Sequence, residues 1–187
     1  MSNVRATEIK KNMTLVIDGE LFQVLDREHV TPGKGQAVNH VKLRNLKTGS
    51  QKQLRLSSSQ TVELAYLDHK NCQYLYRDST GFVFMDEASY DQFPLPDEVI
   101  GDRMGYIKEN ESVIVTFYEG APLSVELPAA VELEVTEAEE AIKGNTATNV
   151  TKNAVLETGL AVKVPMHIKV GEKIRISTDD GSFLGRA

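Results

Sequence analysis

The stretch Leu15-Val16-Ile17-Asp18-Gly19-Glu20-Leu21-Phe22-Gln23-Val24 decides how this chain is read. Leu15 and Ile17 alternate with neighbours that face the other way, and Asp18-Gly19 separates them from a second run, about Leu21 to Val30. Asp-Gly between two such runs predicts a hairpin, because a tight primed turn needs positive φ. Working outward, a further strand is expected over about Val38 to Leu46, a turn at Lys47-Thr48-Gly49, and a strand over Gln51 to Leu56 before the loop Ser57-Ser58-Ser59-Gln60. So many short strands in under 65 residues suggest a small barrel.

The pattern repeats in kind. Cys72–Arg77 and Phe82–Met85 flank Asp78-Ser79-Thr80-Gly81, and Val113–Tyr118 and Leu123–Leu127 flank Glu119-Gly120. Between these hairpins Asp97 to Lys108 is the best helix candidate, with Pro96 at its entry and Val99, Ile100, Met104 and Ile107 at helical spacing. The last third opens at Pro128, alternates through Val131, Leu133 and Val135, and has strands around Leu160–Val164 and Lys173–Ser177. The expected fold class is therefore all-β, with three small β-barrel domains over residues 1–64, 65–128 and 129–187. Domains of about 60 residues bury little surface, so the first two are expected to pack on each other. Tyr74, Tyr76, Phe82 and Phe84 are expected in the core of the second.

Composition narrows the function. Of 187 residues, 41% are hydrophobic and 26% charged, as in soluble globular proteins. No apolar run approaches the roughly 20 residues needed to span a bilayer, and the first residues lack the apolar core of a secretory signal. A cytoplasmic protein with no membrane association is expected. Cys72 is the only cysteine, which excludes an intrachain disulfide and a CxxC zinc site. The net charge of -6 opposes a general nucleic-acid coater. The charge is uneven, however: +4 over residues 1–64, -8 over 65–128 and -2 over 129–187. The first third suits a phosphate-rich neighbour and the second does not.

Catalytic constellations are scarce. His29, His40, His69 and His167 show no metal-ligand spacing, no GxSxG occurs, and Cys72 lies within an aromatic strand. One segment departs from this: Thr31-Pro32-Gly33-Lys34-Gly35-Gln36-Ala37, which sits between two strands and should form a hairpin tip. Two glycines bare the backbone on either side of one lysine. A Walker A loop is excluded, because Glu28 stands five residues before Gly33 and Gly35 follows Lys34.

From Pro32-Gly33-Lys34-Gly35-Gln36-Ala37 onward the chain resembles the bacterial elongation factor P family over essentially its full length. The resembling pieces continue with Val41-Lys42-Leu43-Arg44-Asn45-Leu46-Lys47-Thr48-Gly49, Gln73–Asp78, Phe82–Asp86 and Val125-Glu126-Leu127-Pro128, then Leu156-Glu157-Thr158-Gly159 and Val164-Pro165. The resemblance implies an SH3-like or KOW-like N-terminal barrel followed by two OB-folds in an L-shaped, tRNA-like arrangement. It implies a monomeric, non-enzymatic factor without cofactor that binds the ribosome, rRNA of both subunits, between the P and E sites. There it would position P-site peptidyl-tRNA when synthesis stalls on consecutive prolines.

The family's functional lysine falls on Lys34, with Pro32, Gly33, Gly35 and Gln36 supporting it. A lysine-modifying enzyme resembling a lysyl-tRNA synthetase is the implied partner. The family's RNA-binding loop, Gly-Asp-Thr-x-x-Asn, falls on Gly144, Asn145, Thr146 and Asn149, with Asn145 replacing the usual Asp. Glu140-Ala141 stands where the family commonly has Pro-Gly, and Asn153 where it commonly has Pro. Two other readings stand beside this one. The first is an elongation-factor-P-like paralogue with another ribosomal role. The second, from a different class, is a small β-barrel enzyme using Lys34 as an amine nucleophile.

Overall fold

Asp18 and Gly19 both take positive φ, 52° and 79°, which is the twist a two-residue hairpin turn requires. They join β2 (Thr14–Ile17) to β3 (Glu20–Val30), with Ile17 opposite Glu20. The computed structural model describes residues 2–141 and 150–187. Its first sheet also contains β1 (Ser2–Arg5), β4 (Val38–Asn45), β5 (Gln51–Ser57) and β6 (Thr61–Ala65), in the order β1-β6-β2-β3-β4-β5. The alternation that predicts strands also sets the core: Leu15, Phe22, Val24, Val41, Leu43 and Leu56 all point inward and are buried. Burying each such side chain contributes roughly 1.5–3 kcal/mol.

The β3–β4 ladder is irregular at one place. Val24 pairs with Leu43, but Asp26 pairs with Lys42 and Arg27 with Val41, so Leu25 is the extra residue of a β-bulge. Past this point the residues of β3 exchange faces relative to an unbroken alternation. Arg27 and His29 share the inward face with Val41 and Asn39.

The second sheet is built from β7 (Asp68–Asp78), β8 (Gly81–Asp86), β9 (Gln92–Leu95), β10 (Ser112–Tyr118) and β11 (Ala121–Glu126), in the order β11-β10-β7-β8-β9. Pro94 lies in β9 at the sheet's edge, the place where a strand tolerates the missing N–H. Tyr74 and Phe84 are buried as expected, and Phe82 packs against the same core. Tyr76 is 45% exposed, against expectation. A bulge between Tyr74 and Tyr76 sets Tyr76 opposite Val83 and so off the face it would share with Phe82.

The helix expected from Asp97 to Lys108 is only one turn, α1 (Asp97–Ile100), followed by a 3-10 segment from Gly101 to Tyr106. Gly101 takes φ 47° and ψ -134°, which ends α-helical geometry there. Ile100 and Ile107 still reach the core, so the apolar spacing was read correctly though its backbone was not.

The third sheet comprises β12 (Ala130–Ala138), β13 (Thr151–Leu156), β14 (Ala161–Pro165), β15 (Lys173–Ser177) and β16 (Phe183–Arg186), in the order β14-β13-β12-β15-β16. Its core is Leu133, Val135, Leu156, Val164, Ile168, Ile174 and Ile176, among others.

The chain divides into two compact units, Met1–Asp68 and His69–Ala187. The second and third sheets share the second of these units. The 3-10 segment makes the joint. Tyr106 packs on the third core, Thr158 donates its hydroxyl hydrogen bond to the Gly105 carbonyl, and Lys108 lies 3.7 Å from Glu157. Gly105 lets them approach closely, since a Cβ on it would stand 3.0 Å from Leu160 Cδ1 and the leucine side chain would have to give way. No helix among the described residues is long and apolar enough to cross a membrane.

Candidate functional site

The tip between β3 and β4 spans Thr31 to Ala37, and every residue from Thr31 to Gln36 is exposed. Pro32, Gly33, Lys34, Gly35 and Gln36, all singled out from sequence, therefore lie together on it. Gly35 takes φ +107°, a region that L side chains rarely adopt, whereas Gly33 has no such φ. A Cβ at either position would meet nothing within 4 Å. Of the two glycines, then, only Gly35 uses glycine's special conformational freedom. Lys34 stands in open solvent at the end of the longest hairpin of the first unit.

Beneath the tip lies a set of polar side chains that sequence reasoning did not identify as a group. Asn39 is fully buried. Its Oδ1 accepts hydrogen bonds from Arg27 Nη1 at 3.3 Å and His29 Nδ1 at 3.0 Å, and its Nδ2 donates to Ser58 Oγ at 3.4 Å. Ser58 in turn donates from both Oγ and backbone N to the Ala37 carbonyl, each at 3.1 Å. Arg27 also donates to the Thr7 carbonyl at 2.7 Å. A signal for this existed in β4. Its inward positions are Asn39, Val41, Leu43 and Asn45, an apolar centre with an asparagine at each end. Asn45 has the matching role at the other end, accepting from Lys47 and Thr48 N–H at 2.8 and 3.0 Å to close the next turn.

The basic residues of this unit sort by face. His40, Lys42 and Arg44 alternate along β4 and pair across with Arg55, Gln53 and Gln51 of β5. Lys42, Arg44 and Arg55 are exposed, forming a cationic outer surface, with Asp26 opposite Lys42 and Glu28 opposite His40. Arg27 and Lys52 belong to the fold instead. Lys52 pairs with Leu43 and places its ammonium 4.3 Å from the Phe22 ring centre.

Cys72 is buried, and burial, with the Asp86 charge adding, pushes its thiol up to about 11. It is therefore a thiol at neutral pH and no nucleophile. His69 bonds Thr116 at 3.1 Å and lies 3.7 Å from Glu126. Among the described residues no three His, Cys, Asp or Glu groups could hold a metal ion.

The loop residues Gly144, Asn145, Thr146 and Asn149 lie outside the described residues. The strands on either side are joined by Glu139 and Asn153. Glu139 N donates to the Asn153 carbonyl, and both Glu139 carboxylate oxygens accept from Asn153, one from its N–H and one from its Nδ2, all at 3.0 Å. These bonds hold the Glu139 carboxyl below the usual carboxylate range.

Comparison with known proteins accounts for most of the chain. Residues 5–62 match the elongation factor P KOW-like domain, residues 67–125 the elongation factor P OB domain and residues 131–186 the elongation factor P C-terminal domain. A relative named elongation factor P from Acidothermus cellulolyticus (strain ATCC 43068 / DSM 8971 / 11B) is 43% identical over 180 residues, 96% of each chain. Among solved structures, eukaryotic translation initiation factor 5A from Methanococcus jannaschii matches with a TM-score of 0.56 at 22% identity, over 67% of this chain and 94% of its own. A translation initiation factor eif-5a family protein from Naegleria fowleri ATCC 30863 matches with a TM-score of 0.53 at 17% identity, over 67% and 98%. At these identities the two structures speak to the fold.

Proposed function

The chain belongs to the elongation factor P family, and from that premise we propose that it binds the ribosome between the P and E sites and promotes peptide bond formation at consecutive prolines. Its three modules are taken as residues 1–64, 65–128 and 129–187. The observation that carries the proposal is the exposure of Lys34 on a tip with open space around both flanking glycines. Proline's ring restricts the backbone, so peptidyl transfer between prolines suffers from poor geometry. A cationic arm beside the peptidyl-tRNA acceptor end holds that end in place, while the ribosome supplies the chemistry. The exposed Lys42, Arg44 and Arg55 suit the RNA phosphates such a position brings close.

An imine-forming enzyme needs a desolvated lysine of lowered pKa, and the tip leaves Lys34 in water. The same accessibility suits extension of the lysine by an enzyme resembling a lysyl-tRNA synthetase. The loop bearing Gly144, Asn145, Thr146 and Asn149 supplies polar donors and acceptors for RNA sugar and phosphate groups.

Lys34→Ala tests the reading. The substitution should alter stability by less than about 0.5 kcal/mol, as at other exposed positions, and sharply reduce rescue of a consecutive-proline template in reconstituted translation. Equal rescue by the variant overturns the assigned role. Intact mass of the protein from its native host tests the modification, and a mass equal to the unmodified chain, apart from Met1 processing, removes it. Deletion of residues 146–148 should weaken rescue while leaving Lys34 available for modification. Full rescue with normal ribosome affinity would return that loop to the role of a linker.

A further inference from the structure

Thr31 to Gln36 make no hydrogen bond among the described residues. The direction in which the tip leaves the sheet is therefore inherited from its two roots, the end of β3 and Ala37 before β4. Both roots meet at one side chain. His29, one residue before the end of β3, donates to Asn39 Oδ1. Ala37 is held by Ser58, and Ser58 by Asn39 Nδ2.

The sense of the chain of bonds is determined. Arg27 can only donate, so the atom of Asn39 facing it is the oxygen. His29 must then present Nδ1–H, Asn39 must hand Nδ2–H to Ser58, and the Ser58 hydroxyl is left to donate to Ala37. Arg27 ties the whole to the Thr7 carbonyl in the 3-10 turn of residues 6–8. The bonds are part-buried around a fully buried Asn39, where aligned hydrogen bonds reinforce one another.

We propose that Asn39 is a positioning residue for Lys34, acting through Ser58 and His29 to fix the direction of the tip. The inference rests on the reading of Lys34 given above. Its role separates from simple stability. A barrel that is merely weakened yields less folded factor, so the concentration needed for half-maximal rescue rises while the rate at saturation is unchanged. A misdirected tip leaves the RNA-facing surface intact and lowers the rate at saturation instead.

The test titrates full-length protein from its native host, its modification state checked by intact mass, into reconstituted translation of a consecutive-proline template. Asn39→Ala should lower the saturated rate about tenfold, in the range expected when a positioned group is displaced by a fraction of an ångström or more. Ser58→Ala should lower it less, and Ser58→Thr, which keeps the hydroxyl, should restore it. Nitrogen-15 relaxation of the Gly35 amide should show greater fast motion in Ser58→Ala than in the parent, with no ribosome present. Should Asn39→Ala fold poorly, the Ser58 pair carries the test alone. An unchanged saturated rate and unchanged Gly35 relaxation in Ser58→Ala, with Lys34→Ala inactive, overturn the positioning role and leave the function standing. Full rescue by Lys34→Ala overturns both.

Discussion

Arg27 stands directly across from Val41, on the inward face of β3 and β4. Its neighbour Asp26 stands across from Lys42, on the outward face. The bulge at Leu25 is what separates Arg27 from Lys42, Arg44 and Arg55 on the outer surface, and the first prediction follows from that separation.

Ribosome affinity should fall with rising salt, since cations that meet phosphate release counterions. Lys42→Gln and Arg44→Gln should each reduce the slope of log affinity against log salt by roughly one, if each meets one phosphate. Arg27→Gln should leave the slope unchanged and lower the melting temperature, because its guanidinium serves Thr7 and Asn39. A slope that responds to Arg27 and not to Lys42 or Arg44 contradicts the assignment of faces.

The two glycines of the tip should behave differently. Gly33→Ala meets no neighbour and needs no positive φ, so rescue should persist. Gly35→Ala cannot hold φ +107° without strain of about 1–3 kcal/mol. The tip should relax into another path and rescue should drop, with little change in melting temperature. The comparison is read from saturated rates in the same translation assay, and equal rates for the two variants would refute it.

The Glu139 carboxyl accepts from Asn153, and its pKa is lowered by those bonds. A lowered folded value means the contribution to stability is present above the unfolded pKa and is lost as pH falls through the folded one. The Asn153 amide resonance should therefore titrate with a midpoint below the ordinary glutamate range. Asn153→Pro removes both donors and should shift the Glu139 titration, followed at its side-chain carboxyl carbon, upward. No upward shift in that variant would show that another group depresses Glu139.

Cys72 should be silent to thiol reagents. Both its burial and its pKa of about 11 keep the thiolate away from solvent at pH 7. A disulfide exchange reagent should label the native protein only at the rate of unfolding, and the denatured protein completely. Rapid native labelling would place the thiol at the surface.

How much of this was readable from residues alone depends on the range of the interaction. Asp18-Gly19 and Glu119-Gly120 both announce hairpins, and both pairs take positive φ at both positions. The lysine tip is equally local, since Pro32, Gly33 and Gly35 carry their meaning in the sequence. The bulges are not local. Nothing in Val24-Leu25-Asp26 shows that one residue will be left over, because that depends on the register of a strand more than ten residues away. Tyr76 was misplaced for this reason, and the cluster of Arg27, His29, Asn39 and Ser58 was missed for it as well. The helix at Asp97 failed differently: its apolar spacing served the core, while the glycines at 101 and 105 had other duties. Gly101 breaks the turn and Gly105 admits Leu160.

The bulge at Leu25 also acts as a fulcrum. Deleting Leu25 would preserve every pairing from Asp26 to Val30, because those residues already match β4 as though it were absent. What would change is the bend, since an extra residue on one strand curves the ribbon and adds twist. From Asp26 to Val30 the strand extends by about 16 Å at roughly 3.3 Å per residue. On a lever of that length, each ten degrees or so of lost curvature carries Lys34 sideways by about 3 Å, comparable to the length of a hydrogen bond. The reach of the lysine thus depends on the curvature set at Leu25, at the far end of its arm.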